Sequence, residues 1–168
     1  MIYQTFRNHF FDVGYFHINQ VYAWNPEFNR KNIINWTRKK LLIKLRNGYY
    51  AFPDYLNQPN FSLYLANRIY KPSYISLHKA LAFYGLIPEA VLQITSVTPR
   101  KTAEFINEFG HYNFKTLQPE LFFGYDSKPF LNDRSILIAQ PEKALLDLLY
   151  LYPSYNTTEE IEELRLDE

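Results

Sequence analysis

Cysteine is missing from all 168 residues of the chain. Its absence excludes disulfides, thiolate zinc sites and cysteine nucleophiles together, and it suits a reducing compartment. The opening MIYQTFRNHF has no apolar core of the kind a secretory signal carries, so export is not expected. Long hydrophobic runs are also lacking. The most apolar late stretch, Ala144 to Tyr152, is interrupted by Asp147 and closed by Pro153, far short of a bilayer span. These absences lead to the expectation of a cytoplasmic protein with no membrane partner. Histidine is sparse: His9, His17, His78 and His111 are scattered, and none belongs to a two-histidine motif at helical spacing. Nothing resembles a phosphate loop or a nucleophile elbow. No metal, no cofactor and no catalytic residue is therefore expected, and the chain is read as no enzyme.

What the chain does have is apolar mass and an uneven distribution of charge. It is 47% hydrophobic, with 15 Tyr and 14 Phe, which is enough to build a sizeable core. The net charge is only +1, yet residues 1–52 hold eight basic side chains against Asp12 and Glu27, a net +6. The remainder must carry the opposite sign. A basic module joined to an acidic one implies a polyanion partner for the first.

Local patterns divide the chain in the same way. Ile2 to Phe11 reads as a short helix with Phe6 and Phe10 on one side, broken by Asp12-Val13-Gly14. Ile18, Val21 and Tyr22 mark a second helix from His17 to Trp24. Asn25 as N-cap, Pro26 at the first position and Glu27 in the first turn then predict a third helix from Pro26 to Lys40. On it Ile33 and Trp36 face inward and Lys31, Asn35 and Arg38 outward, flanked by Arg30, Asn32 and Lys39. Leu41 to Arg46 turns at Asn47-Gly48 and returns through Tyr49 to Phe52, a strong hairpin signal. Ile43, Leu45, Tyr50 and Phe52 share its inner face. Lys44, Arg46 and Tyr49 share the outer one.

Three helices followed by a hairpin is the order of a winged helix-turn-helix. The expected DNA-contacting set is Arg30, Lys31, Asn32, Asn35, Arg38, Lys39, Lys44, Arg46 and Tyr49, in which cations neutralise phosphates while Asn and Arg can read base edges. A solvated charged face on any amphipathic helix is the plainer reading of the helix alone; the adjacent basic hairpin favours a single positive surface.

Beyond the turn-prone stretch from Pro53 to Pro59, the expected second domain is α+β. Its predicted helices run from Phe61 to Tyr70, from Ser73 or Ser76 to Gly85, and from Pro141 onward, the last with a buried stripe of Leu145, Leu148, Leu149 and Tyr152. Strand-like segments lie within Val91–Thr98, Thr102–Ile106, His111–Phe114 and Ser135–Ala139. The expected division is a winged helix at 1–55 and an α+β domain at 56–168.

Four stretches occur in an order that resembles the AbiEi-family antitoxins: KPSYISLHKALAFYGLIPEA, ITSVTPRK, LFFGY and ILIAQPEKALLDLLYL. The winged-helix segment NIINWTRKKLLIKLRNGYYAF is also similar to theirs. The resemblance covers most of residues 2–152 and is most specific at 72–76 and 139–147. It implies a type IV toxin-antitoxin component that represses its own operon through operator DNA and counters a nucleotidyltransferase-like toxin, without necessarily forming a stable complex with it. The motif residues it singles out are Ser73, Tyr74, Ser76, Glu142, Lys143 and Asp147. No Gly-Ser pair with a downstream acidic motif is present, so the chain reads as the antitoxin and not the toxin. Members of that family often continue with further helix beyond the point where this chain ends, so the resemblance implies a short or truncated member.

Lys143 and Asp147, four apart on a helix, are expected on its exposed face opposite the leucines, with Glu142 favourably placed in the first turn. The polar half of Pro141–Asp147 could instead lock the helix onto the preceding strands. Glu159, Glu160, Glu162 and Glu163 read as a solvated helix or frayed tail. A second function class stays open: a winged-helix module that binds protein and never touches DNA.

Overall fold

A computed structural model describes residues 2–166, a mixed α+β fold with seven α-helices and two sheets among those residues. The chain divides into two compact units, Met1–Phe61 with Phe105–Phe109, and Ser62–Glu104 with Gly110–Glu168.

The first unit runs α1 (Tyr3–Phe10), β1 (Tyr15–His17), α2 (Ile18–Trp24), α3 (Lys31–Arg38), β2 (Ile43–Arg46) and β3 (Tyr49–Ala51). β3 lies between the other two strands and pairs antiparallel with both. The core that these elements enclose is aromatic. Phe6 is fully buried, its ring 4.8 Å from Trp36, 5.0 Å from Phe10 and Phe16, and 5.8 Å from Phe28 between centroids. Offset and edge-on ring pairs of this kind add to the gain from apolar burial itself.

Two features of this unit differ from the sequence expectation. β1 is only three residues long and leads straight into α2, too short a run to show an alternating pattern. The third helix begins at Lys31 instead of Pro26 because two asparagines divert the backbone. Asn25 Oδ1 accepts from the Glu27 amide at 3.1 Å, and Asn29 Oδ1 from the Lys31 amide at 2.9 Å. Such local side-chain bonds compete with helix formation. The turn they create drops Phe28 into the core. The hairpin is as expected, with Ile43, Leu45, Tyr50 and Phe52 buried. Gly48 has φ +82°, and a Cβ there would sit 2.6 Å from His17 Nε2, so glycine is required for both conformation and space.

The rest of the chain forms α4 (Phe61–Ile69), β4 (Tyr74–Ile75), α5 (Leu77–Phe83), β5 (Ile94–Thr98), β6 (Ala103–Asn107), β7 (Gly110–Thr116), β8 (Tyr125–Phe130), β9 (Arg134–Ala139), α6 (Pro141–Leu151) and α7 (Thr158–Glu162), all in the second unit except Phe61 and the last three residues of β6, which belong to the first. Its sheet order is β6-β7-β5-β4-β9-β8. β5 runs parallel to β7 and β4 parallel to β9, while β4–β5 and β8–β9 are antiparallel. All five residues of β5 are buried. β8 escaped the sequence reading because Pro129 interrupts it, and a proline is tolerated there because β8 is an edge strand. α5 ends as expected at Gly85, whose positive φ lets the Leu86 amide reach back to the Leu81 carbonyl at 2.9 Å.

α6 starts at Pro141 as predicted, but it is rotated from the predicted face. Lys143, Ala144, Asp147 and Leu148 are its buried residues, Leu145, Leu149 and Tyr152 are half-buried, and Leu146 is 60% exposed. The exposed placement expected for Lys143 and Asp147 is thus corrected. The polar residues lie inside because the sheet and the preceding loop supply their partners, as described below.

Phe6 is central to the first unit, so Phe6→Ala is expected to cost about 3–5 kcal/mol of stability and Phe6→Leu clearly less. Urea unfolding of the full chain checks this. Equal losses for the two variants would show that Phe6 does not organise the core.

Candidate functional site

In the first unit the sequence-predicted contact residues divide by exposure. Arg30, Lys31, Asn35, Arg38 and Lys39 are exposed on and beside α3, as is Lys44 on β2. Lys40, which follows α3 with φ 59°, is exposed as well. Asn32 and Tyr49 are half-buried. None of Arg30, Lys31, Arg38, Lys39, Lys40 or Lys44 has a carboxylate partner among the described residues. Arg30, Ile33, Ile34 and Thr37 from the α3 segment and Lys44 and Tyr50 from the hairpin line one open hollow of about 320 Å³.

Arg46 differs from Lys44. It is half-buried, and its guanidinium carbon lies 4.5 Å from the Phe105 ring centroid and 5.7 Å from that of Tyr49. Within the same unit the Asn107 amide donates to the Leu45 carbonyl at 3.2 Å. Arg46 is therefore packed on an aromatic face, a role that an alternating strand pattern cannot reveal.

His17 anchors the hairpin from β1. Its Nδ1 accepts from the Asn19 amide at 3.2 Å, Gln20 accepts in turn from the His17 amide, and its ring packs edge-on to Tyr49 at 4.6 Å. Burial, and secondarily the nearby Arg46, hold its pKa below the ordinary 6.5.

In the second unit, residues from two of the sequence motifs converge on one carboxylate. Asp147 is 1% exposed; Oδ2 accepts from the Tyr74 hydroxyl at 2.9 Å and the Ser76 hydroxyl at 2.7 Å, and Oδ1 from Lys143 Nζ at 2.5 Å. Ser76 occupies the N-cap position of α5 without capping it, because its hydroxyl is committed to Asp147. Burial, and next the charge of Asp147, push the Tyr74 phenol well above its ordinary pKa of 10.0, so it stays a donor at neutral pH.

The Leu121–Tyr125 stretch wraps this cluster. Tyr125 stacks on Tyr74 at 4.6 Å, Phe122 lies 5.0 Å from Tyr74, and the Phe123 ring centroid is 4.7 Å from Lys143 Nζ. Gly124 has φ +75°, and a Cβ there would meet Lys143 Cγ at 2.9 Å. These aromatic and glycine positions were not among the predicted site residues. No single residue type in this stretch announces a site. Ser73 is buried with its hydroxyl 3.5 Å from the Ala66 carbonyl, and Glu142 is exposed, so neither joins the cluster.

No group of three or more metal-ligating side chains is assembled among the described residues, and no helix among them is long and apolar enough to cross a membrane. No family model matches the chain, and no curated protein matches it.

Two outcomes are expected. Asp147→Ala leaves a buried ammonium and two hydroxyls without their acceptor, so it should cost about 3–5 kcal/mol in urea unfolding. The apolar pair Lys143→Met with Asp147→Leu should recover much of that loss, and no recovery would mean that the cluster does more than satisfy itself. Separately, because the folded pKa of His17 is depressed, the unfolded chain takes up the proton first. The His17 contribution to stability is therefore complete above the ordinary 6.5 and is lost as pH falls from there through the lower folded pKa. His78, also depressed mainly by burial, adds in the same direction. His17→Asn, which keeps a capping side chain, should reduce the dependence of the urea midpoint on pH between 8 and 5. An unchanged slope would remove His17 from the linkage.

Proposed function

We propose that this chain is a cytoplasmic DNA-binding autoregulator, with a winged helix-turn-helix in its first unit and an AbiEi-like antitoxin domain in its second. In this reading it represses its own operon by binding operator DNA and counters a nucleotidyltransferase-like toxin. The observation that carries the DNA-binding part is the set of six exposed cations on α3, its flanks and β2, none compensated by a carboxylate among the described residues. A surface of this kind costs self-repulsion in the free protein and is relieved by a polyanion. Element order supports the winged-helix reading: β1 stands between α1 and α2, and the β2–β3 hairpin follows α3 directly. Arg38 and Asn35 on the outer face of α3 suit base edges, whereas Lys44 suits phosphate.

The antitoxin part rests on the sequence resemblance. It is supported by the meeting of its most specific stretches, 72–76 and 139–147, at Asp147. Helical spacing pairs Lys143 with Asp147 but gives no reason for Tyr74 and Ser76 to share that acceptor.

Mobility shifts of the full chain on the duplex upstream of its own reading frame, across a salt series, test the first part. Arg38→Ala and Asn35→Ala should relax sequence preference. Lys44→Ala should weaken all sequences alike and lower the salt slope by about one unit. No shift at low salt would leave the protein-binding module as the reading. The full-length Arg38→Ala, Lys44→Ala double variant should lose repression and still rescue cells that express the cognate toxin. Loss of rescue in a folded double variant would tie neutralisation to the DNA surface.

A further inference from the structure

Elsewhere in the second unit, two cations line one concave site without a counter-ion. Arg68, in the last turn of α4, and Lys71, just after it, share a cavity of about 190 Å³ with Ser73, Phe122 and Tyr125. Among the described residues neither cation has a carboxylate partner. Arg68 Nε is buried and has no hydrogen-bond acceptor there, although the same guanidinium lies 5.0 Å from the Tyr64 ring centroid. The Lys71 pKa is held below its ordinary 10.5, first by burial and then by the Arg68 charge, so the two cations feel one another. Arg100 brings a third cation to this turn by donating to the Lys71 carbonyl at 3.1 Å.

The walls are fixed. The Asn67 side chain donates to the Leu137 carbonyl at 3.1 Å and accepts from the Leu137 amide at 2.8 Å, which ties α4 to β9 beside the cavity. The Ser73 hydroxyl is turned to the Ala66 carbonyl at only 3.5 Å, a weak bond that an oxyanion would outcompete. Tyr125 and Phe122 give the site flat apolar sides, and both are half-buried.

We infer that this cavity binds a phosphomonoester dianion carrying a flat apolar body, with Arg68 and Lys71 on the phosphate and Phe122 and Tyr125 beside the body. Two neighbouring cations with an unmet buried N–H are unfavourable in the free chain, and a dianion reverses both costs at once. A carboxylate would supply half the charge. A phosphodiester likewise brings one charge, and its two substituents must both leave a concave pocket. The site is independent of the DNA surface on α3 and of the Asp147 cluster's own hydrogen bonds.

The test uses the full-length protein and amide NMR spectra titrated with phenyl phosphate, dimethyl phosphate and benzoate. Phenyl phosphate should give saturable shifts at residues 67–73 and 122–125 and bind about tenfold or more tightly than either monoanion. Lys71→Gln, at an exposed position that leaves the core untouched, and Arg68→Gln should each weaken it by about tenfold. Arg68→Lys, which keeps the charge and loses the Nε donor, should fall between wild type and Arg68→Gln. Equal affinity for the diester or for benzoate overturns the proposal, as do shifts confined to 30–46 or affinities unchanged by Lys71→Gln.

Discussion

The second unit depends on satisfying one carboxylate away from water. Asp147 is almost completely buried, a position that costs a carboxylate its hydration. Three donors from two distant chain segments oppose that cost, and each donor is fixed by its own neighbours. Tyr74 packs against both Tyr125 and Phe122, Ser76 is held by the β4–α5 junction, and Lys143 comes from the turn of α6 before Asp147. A carboxylate satisfied on both oxygens leaves little freedom in the rotation of α6. A leucine could slide past its neighbours by part of a turn, but an acceptor with three assigned donors cannot. The rotation of α6 away from its leucine stripe follows from this constraint, and so does the exposure of Leu146.

The first unit solves the opposite problem. Among the described residues its buried core includes no charged residue, and its stability rests on rings arranged around Phe6. With the interior apolar, all eight basic residues of 1–52 must lie outside or at the edge, and only some are absorbed by neighbours. Arg7 pairs with Asp54 at 2.8 Å, and Arg46 packs against Phe105. What is left uncompensated lies on α3, its flanks and β2. The charge asymmetry visible in the sequence therefore becomes a localised surface through elimination, as the other cations find partners.

Long periodic segments were the legible part of the fold. α1, α2, α4, α5, α6 and the β2–β3 hairpin follow from apolar spacing, Asn-Gly and Pro or Gly punctuation. β1 and β4, at three and two residues, are too short to carry a period and exist because a partner strand is there. The start of α3 was misread because Asn25-Pro26-Glu27 satisfies every rule for a helix start. The competing Asx turns at Asn25 and Asn29 are decided by where Phe28 can be buried. At the candidate surfaces, exposure of Arg30, Lys31, Asn35, Arg38, Lys39 and Lys44 was legible from period and pattern. The packing of Arg46 on Phe105 was not, because it depends on a residue nearly sixty positions away.

The same limit explains the Lys143–Asp147 pair. At i and i+4 on a helix, a lysine and an aspartate nearly always read as a solvated pair, and solvated pairs contribute little. What distinguishes this pair is the hydroxyls of Tyr74 and Ser76, about seventy residues upstream, and no local rule connects them. Yet the sequence did carry a trace of the connection, because 72–76 and 139–147 were the stretches that stood out as most specific in the resemblance. Their specificity has a physical reading here. A buried ion pair with two hydroxyls on it tolerates few substitutions at any of the four residues, since each change strands a charge or a donor, whereas an apolar contact at the same place would accept many. The polar centre of the second unit is thus held by four side chains that depend on one another, and an isolated i, i+4 pattern cannot show that dependence.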